Sequence, residues 1–252
     1  VIALLNRSLN QMLLTTAFGQ HLDIQNPADE AAYWRVAKTK SSPLFSAALH
    51  LGALAGGASI ELAEKLKMEA AQEVEKSAVL GQQINDMLFS FAELGFQEWE
   101  TSNYLTSLLE KNGFKIQKGI AGIPTAWIAT WSFGNGKPSI ALGSDVDCIP
   151  KASQKPGVAY HDPIVEAAPG HGEGHNSGQA LNIIAALAMK KIMEREKIAG
   201  TLMLWPGIAE ELLGTKAYYI RGGYFKDVDA CTFTHVYDNM SVSHGDNGYT
   251  GM

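Results

Sequence analysis

The sequence is poor in cysteine and in basic residues. The first shortage argues against a disulfide-stabilised protein and the second against a nucleic-acid-binding protein. Only two cysteines occur in 252 residues, Cys148 and Cys231, so a disulfide scaffold is excluded at this length. Both lie in apolar stretches, so we interpret them as small buried side chains. The low number of cysteines fits a reducing cytoplasm. The 26 acidic and 20 basic residues give a net charge of −6, and no nucleic-acid-binding surface is expected.

Long apolar runs are also absent. The longest, residues 44–59, is short and interrupted by polar residues, so we predict a buried helix and no membrane span. No Gly-x-Ser-x-Gly occurs, and this lack argues against a serine nucleophile of the hydrolase type. The chain begins at Val1 and stops at Met252 in mid-pattern, so we expect it to be a piece of a longer protein.

Two parts of the chain differ in their hydrophobic pattern. Residues 1–58 are predicted to be entirely helical. Residues 59–91 are predicted to continue as one long helix with an apolar stripe along one face. Beyond Gly95, strands are predicted at 114–117, 125–131, 139–142, 201–205 and 230–234, with helices at 98–111, 177–196 and 213–221. Alternation of strands and helices predicts an α/β fold with a mostly parallel sheet and flanking helices. We therefore expect two domains, 1–58 and 59–252.

Polar side chains follow the predicted strands at the points where the strands end. Asp145 and Asp147 follow one strand, the pair Glu210–Glu211 follows the next, and His235 directly follows the last. His175 lies in a glycine-rich loop before a helix. Since ligands of such folds bind beyond the carboxyl ends of the strands, these four clusters are expected to meet at one edge.

Imidazoles and carboxylates gathered in this way suit a hydrolytic metal centre with a general base. Each cluster also has a simpler interpretation. Glu210–Glu211 could begin a helix, His175 could be a capping or loop residue beside glycines that cradle an anion, and His235 could be a buried, hydrogen-bonded histidine. Asp145 and Asp147 could support a metal-bound imidazole or only aid solubility. The remaining histidines are interpreted as loop or helix residues without a site role: His21, His50, His161, His171 and His244.

Five ordered motifs between about Met68 and Met252 carry a family resemblance. They are residues 91–98 (FAELGFQE), 143–150 (GSDVDCIP), 170–176 (GHGEGHN), 205–211 (WPGIAEE) and 233–236 (FTHV). Together they resemble the front part of the dinuclear metallopeptidase and amidohydrolase family, and most closely its aminobenzoyl-glutamate hydrolase branch. The resemblance implies an incomplete catalytic domain of the zinc-exopeptidase type.

The resemblance implies His175, Glu211 and His235 as metal ligands and Glu210 as the general base. Glu173 stands where related amidohydrolases carry a cysteine, so it is a further candidate ligand. The implied cofactors are two divalent ions, zinc or manganese, and a carboxylate in place of a thiolate suits a harder metal, which puts manganese on an equal footing with zinc. The implied substrate is a small N-acyl amino acid or peptide-like amide.

The resemblance implies that the family's last histidine ligand and its lid (dimerisation) domain would lie past position 252. A homodimer is therefore expected only for the full-length protein, and we expect this chain alone to be inactive or very weakly active. A metal-binding α/β fragment without turnover is the non-enzymatic alternative.

Residues 1–58 resemble a fragment of an isoprenoid (polyprenyl diphosphate) synthase. The resemblance rests on residues 19–24, 33–35, 40–45 and 51–58, and it implies that Gln20 and Lys40 lie near a diphosphate. Prenyl transfer needs paired aspartates to hold magnesium, and no Asp-Asp pair occurs in the chain. We interpret the segment as a remnant without catalysis, with a prenyltransferase-like protein as the alternative function.

Overall fold

A computed structural model describes residues 59–236 continuously and, before them, residues 10, 14, 15, 17, 18, 21, 22, 29, 31, 32 and 35. All of those isolated residues except residue 29 are helical, as predicted, and the rest of residues 1–58 lies outside the described residues. The chain divides into two compact units, Val1–Glu69 together with Tyr237–Met252, and Ala70–Val236. The strands and helices of residues 78–233 and the candidate site belong to the second unit.

Five α-helices and five strands follow one another in residues 60–233, with short 3-10 helices at Ile120–Gly122 and Glu210–Leu212. The helices are α1 (Ile60–Lys76), α2 (Ala78–Phe91), α3 (Trp99–Lys111), α4 (His175–Glu196) and α5 (Lys216–Arg221). The strands are β1 (Lys115–Lys118), β2 (Trp127–Phe133), β3 (Ser139–Asp145), β4 (Gly200–Gly207) and β5 (Ala230–Phe233). All five predicted strands are present within a few residues of their expected positions, and the predicted α/β class is confirmed.

The strands form one sheet in the order β1-β2-β4-β3-β5. β3 pairs in parallel with both β4 and β5, whereas β2 pairs antiparallel with β1 and with β4. The sheet is therefore mixed, with β2 running against the other four strands of the described region. The parallel half, β4-β3-β5, has its carboxyl ends side by side, and this half carries the candidate site.

Three helix boundaries differ from the sequence prediction, and one of them is the start of α5, expected at residue 213 and found at Lys216. The long helix expected over 59–91 is divided at Ser77, whose hydroxyl donates a 3.0 Å hydrogen bond to the Glu73 carbonyl one turn earlier. Such back-bonding competes with the helical hydrogen bonds and favours a bend. The helix expected from residue 177 begins earlier, at His175, because Gly174 adopts a left-handed conformation (φ 71°) that sets the first turn.

Helix α4 crosses the parallel half of the sheet through both apolar and polar contacts. Ile183 and Ala186 are fully buried in the core. Asn182 donates a 2.8 Å hydrogen bond to the Gly143 carbonyl, and Gln179 donates a 2.9 Å hydrogen bond to the Trp205 carbonyl. These amides bind the ends of β3 and β4, so they place the first turn of α4 over the carboxyl edge of the sheet.

The approach of α4 to the sheet requires glycine at position 178. A Cβ atom there would lie 2.0 Å from the Ser144 hydroxyl oxygen and 3.0 Å from the Thr234 carbonyl oxygen. Thr234 is itself held by its hydroxyl, which donates a 2.8 Å hydrogen bond to Asn182 Oδ1. The start of α4 and the end of β5 are thereby joined next to His175 and His235.

Among the described residues, no helix is both long and apolar enough to cross a membrane.

Candidate metal centre

Strand register brings the predicted site residues to one edge of the sheet. In the ladder, Asp145 of β3 lies opposite Gly207 of β4, and Gly143 lies opposite Phe233 of β5. The residues that follow these strand ends therefore meet, as expected for parallel strands. The Glu210–Glu211 pair occupies a single turn of 3-10 helix, Glu210–Leu212, directly after β4.

Three donor atoms form a compact triangle above this edge. His175 Nε2 lies 3.2 Å from His235 Nε2 and 3.7 Å from Glu173 Oε2, and His235 Nε2 lies 3.6 Å from the same carboxylate oxygen. Around a tetrahedral zinc ion with bonds of 2.0–2.1 Å, neighbouring ligand atoms are separated by about 3.3 Å. The three separations have the size expected for ligands that share one ion.

Three further carboxylates, those of Asp145, Glu210 and Glu211, enlarge this donor set. Ligand atoms of Glu173, His175, Glu210 and Glu211 all lie within 4.8 Å of one another, and so do those of Asp145, His175 and His235. His175 is common to both groups. The side chain of His175 is 2% exposed, whereas those of His235 and Glu173 are 35% and 46% exposed. The cluster is thus anchored from below and open to water and small molecules from above.

Asp147 supports both sides of the cluster from beneath. Its backbone carbonyl lies 2.9 Å from His175 Nδ1, and its Oδ2 accepts a 3.0 Å hydrogen bond from the Glu211 backbone N–H. The Nδ1–H of His175 is therefore directed at Asp147, which leaves Nε2 as the atom that faces the cluster. Second partners of this kind fix the orientation of a ligand imidazole, the role predicted for Asp147.

Unpaired buried atoms provide an independent test of whether a cation fits. Glu211 Oε1, in one of the two groups of candidate ligands, is buried and has no hydrogen-bond partner among the described residues. The Nε2 atoms of His175 and His235 lie 3.2 Å apart. They can form a hydrogen bond with each other only when one of them carries a proton. A divalent cation would bind these imidazole nitrogens and carboxylate oxygens at the same time. The residues therefore fit such an ion.

Asp145 has a partner that the sequence analysis did not identify. Lys216, the first residue of α5, places its Nζ 2.8 Å from Asp145 Oδ1 and 3.0 Å from Oδ2. Asp145 is 1% exposed, so the ammonium group offsets part of the cost of burying its charge. Lys216 carries no local sequence signal for this role, since 71 residues separate the two side chains.

The electrostatics of the cluster reflect an excess of negative charge. Burial raises the pKa of Glu211, and the nearby Glu173 carboxylate raises it further. Burial likewise raises the pKa of Asp145, although Lys216 opposes that effect. Burial lowers the pKa of His175, but the contacts with Asp147 outweigh it and raise the pKa to about 9. A positive charge at the centre of the cluster is therefore favoured, whether it is a proton or a metal ion.

Proton competition leads to a testable pH dependence of metal binding. Because the pKa of His175 is raised to about 9, a metal ion that binds Nε2 below that pH must displace a proton. We expect the apparent affinity for Mn²⁺ to fall about tenfold per pH unit between pH 8 and pH 6, as one displaced proton requires. Calorimetric titrations in buffers of different ionisation enthalpy would count the released proton, and a pH-independent affinity would contradict this assignment.

Within residues 59–236, the other histidines take no part in the cluster. His171 Nε2 lies 3.0 Å from the Leu88 carbonyl, and burial lowers its pKa to about 4, so it is a neutral, structural side chain. His161 is exposed in the long loop after β3. His50 and His244 lie outside the described residues. Both cysteines are free thiols, and Cys148 is buried as expected, whereas Cys231 is exposed, so the expectation of a buried side chain is wrong for Cys231.

Comparison with known proteins gives relatives of one kind. No protein-family model matches the chain. Over 152 residues, or 60% of the chain, it is 36% identical to one of the subunits of p-aminobenzoyl-glutamate hydrolase from Escherichia coli and covers 31% of that protein. It is 26% identical over 158 residues to N-acetyl-L-cysteine deacetylase of Bacillus subtilis, covering 62% of the chain and 36% of that protein. The chain spans between 29% and 43% of the length of its curated relatives.

Solved structures show the same fold. The Bacillus subtilis YXEP protein, described as a dinuclear metal-binding peptidase of the M20 family, matches with a TM-score of 0.53 and 24% identity, over 66% of this chain and 45% of its own. An aminobenzoyl-glutamate utilization protein from Klebsiella pneumoniae matches with a TM-score of 0.50 and 17% identity, over 67% of this chain and 46% of its own. The resemblance of residues 1–58 to isoprenoid synthases gains no support from these comparisons.

Proposed function

We propose that this chain carries the metal-binding part of an enzyme that hydrolyses an amide bond and releases an amino acid. The observation that carries the proposal is the triangle of His175, His235 and Glu173 donor atoms, with the Glu210–Glu211 pair beside it. Curated relatives named as a hydrolase of p-aminobenzoyl-glutamate and as a deacetylase of N-acetyl-L-cysteine support the same chemistry. The proposed substrate is a small N-acyl amino acid or peptide-like amide.

In this proposal His175, His235, Glu211 and Glu173 would hold two divalent ions. Bound ions of this kind polarise a carbonyl group and lower the pKa of a bound water molecule. Asp147 keeps the His175 ring oriented through Nδ1 and also holds the backbone of Glu211. Lys216 balances the charge of Asp145 at the base of the cluster.

Glu210 is proposed as the general base. It lies within the donor cluster and is half-buried, so it can reach both the substrate and the attacking water. Its carboxylate accepts a proton from the water as the new C–O bond forms. It then gives that proton to the departing amine nitrogen as the C–N bond breaks, which regenerates the carboxylate.

The donor set bears on the choice of metal. Oxygen donors from Glu173 and Glu211 stand beside two imidazoles, and no cysteine lies within the cluster among the described residues. Carboxylates suit harder ions than thiolates do. We therefore propose manganese as an equal candidate to zinc. The boundary between a segment 1–58 and a catalytic part 59–252, the homodimer of a longer protein and a cytoplasmic location remain proposals as well.

Metal titration followed by an amidase assay tests the proposed function. We expect calorimetry to show binding of Mn²⁺ and Zn²⁺, and we expect p-aminobenzoyl-glutamate to be cleaved only by metal-loaded protein, at a low rate. Treatment with a chelator should remove both properties, and re-addition of Mn²⁺ should restore them. Absence of metal binding would refute the proposal, whereas metal binding without any cleavage in a single-turnover assay would favour the non-catalytic alternative.

A further inference from the structure

A buried carboxylate outside the metal cluster accepts hydrogen bonds from two backbone N–H groups and one hydroxyl. Glu98, immediately before α3, is 0% exposed. Its Oε1 accepts 3.0 Å hydrogen bonds from the backbone N–H groups of Phe96 and Ala209, and its Oε2 accepts a 2.9 Å hydrogen bond from the Thr125 hydroxyl. The Ala209 contact spans 111 residues of sequence, so it joins two distant segments.

Ala209 is the residue on which the orientation of the Glu210–Glu211 turn depends. It is fully buried and adopts a left-handed conformation (φ 53°), an uncommon one for a residue with a side chain. Its carbonyl accepts 3.1 Å hydrogen bonds from the backbone N–H groups of Leu212 and Gly214. Glu98 therefore holds the N–H side of Ala209 while the following loop holds its carbonyl side.

The segment that contains Glu98 also contacts the other half of the cluster. We call residues 93–98 the clamp loop. The Glu93 carbonyl of this loop accepts a 2.9 Å hydrogen bond from the N–H of Cys148, directly after Asp147. A Cβ atom on Gly95 would lie 2.9 Å from the Cα atom of Ala209. One loop thus packs against both strand ends that carry the site.

We infer that Glu98 is a positioning residue for the Glu210–Glu211 turn and acts through the N–H group of Ala209. This inference rests on the proposed function of that turn. A carboxylate suits the position because it only accepts hydrogen bonds and meets three donors. A glutamine can serve the same geometry, since its Oε1 accepts from both backbone groups and its Nε2 donates to a Thr125 hydroxyl turned the other way. A leucine has a similar size and accepts nothing.

The matched pair of variants Glu98→Gln and Glu98→Leu tests this role by its effect on metal binding. Titration with Co²⁺, followed by visible absorption, reports both affinity and ligand geometry without any need for turnover. We expect the glutamine variant to keep the wild-type spectrum and an affinity within about twofold of the wild-type value. The leucine variant should bind Co²⁺ about 10–100-fold more weakly, the loss typical when support of a ligand is removed, and with an altered spectrum.

Two further variants separate positioning from general stability. Thr106→Val removes another buried hydrogen bond of α3, to the Ser102 carbonyl, so it should lower the melting temperature and leave Co²⁺ binding unchanged. Gly95→Ala pushes on Ala209 without removing any hydrogen bond, and it should weaken Co²⁺ binding even if Glu98→Leu fails to fold.

Three outcomes would overturn the inference, and they are distinguishable. Wild-type affinity and spectrum in both Glu98→Leu and Gly95→Ala would show that the turn needs no clamp. A loss in Glu98→Gln as large as in Glu98→Leu would show that charge, not hydrogen bonding, matters at position 98. Failure of the wild-type chain to bind Co²⁺ would remove the proposed function and this inference together.

Discussion

Replacement of His175 with alanine is expected to lower the affinity for Mn²⁺ by at least about 100-fold, because even the loss of an outer partner of a ligand typically costs about 10–100-fold. His175 is the only member common to both groups of candidate ligands found among the described residues. Its removal therefore weakens every arrangement of ions that the cluster allows. Calorimetric titration with Mn²⁺ and Zn²⁺ measures the change.

The matched control for this experiment is His161→Ala. His161 is exposed in the loop after β3, so its loss should leave affinity and stoichiometry unchanged. Circular dichroism of both variants would show whether the fold is retained, since His175 is buried and its loss leaves a small cavity. An unchanged stoichiometry and affinity in a folded His175→Ala variant would remove this residue from the site and with it the proposed metal centre.

Replacement of Glu210 with glutamine is expected to lower the rate of amide cleavage by about 10²–10⁴-fold, the usual contribution of a general base. The amide side chain is nearly isosteric but cannot accept a proton. If Glu210 acts as the base, Mn²⁺ affinity should change little. A single-turnover assay with protein in excess over p-aminobenzoyl-glutamate measures the rate even if this chain is weakly active.

Glu211→Gln is the informative comparison, since the two residues are adjacent and belong to the same group of donors. As a proposed ligand, Glu211 should show the reverse pattern, with Mn²⁺ binding weakened strongly and cleavage lost as a consequence. Metal affinity that falls in Glu210→Gln and stays intact in Glu211→Gln would exchange the two assignments. Wild-type cleavage by Glu210→Gln would exclude Glu210 as the base.

Much of the fold could be predicted because its signals are local. Short apolar runs between turn residues predicted all five strands, and Asn112–Gly113 marked the end of α3 correctly. The break at Ser77 was missed because it depends on a single hydroxyl that bonds the Glu73 carbonyl. Antiparallel pairing of β2 was also missed, since strand direction follows from how the chain returns to the sheet and leaves no periodic pattern.

The candidate site divides in the same way. Clusters after strand ends pointed to Glu210, Glu211 and His235, because parallel strands bring their carboxyl ends to one edge, and the glycine-rich loop before a helix pointed to His175. Lys216 and Glu98 carry no comparable signal. Glu98 belongs to one of the recognised motifs, but its three hydrogen-bond donors come from three separate segments. Only side-chain coordinates identify such partners.

The amino-acid sequence by itself determined the succession of strands and helices along the chain and the residue types available for chemistry. It also excluded a disulfide scaffold. These depend on composition and on short-range patterns along the chain. The tertiary structure decided which nitrogen of His175 faces the cluster, that Asp145 is paired with Lys216, and that Glu98 accepts a hydrogen bond from the Ala209 N–H. Those contacts join residues far apart in sequence, and their distances and directions exist only once the sheet has formed and α4 has packed across it.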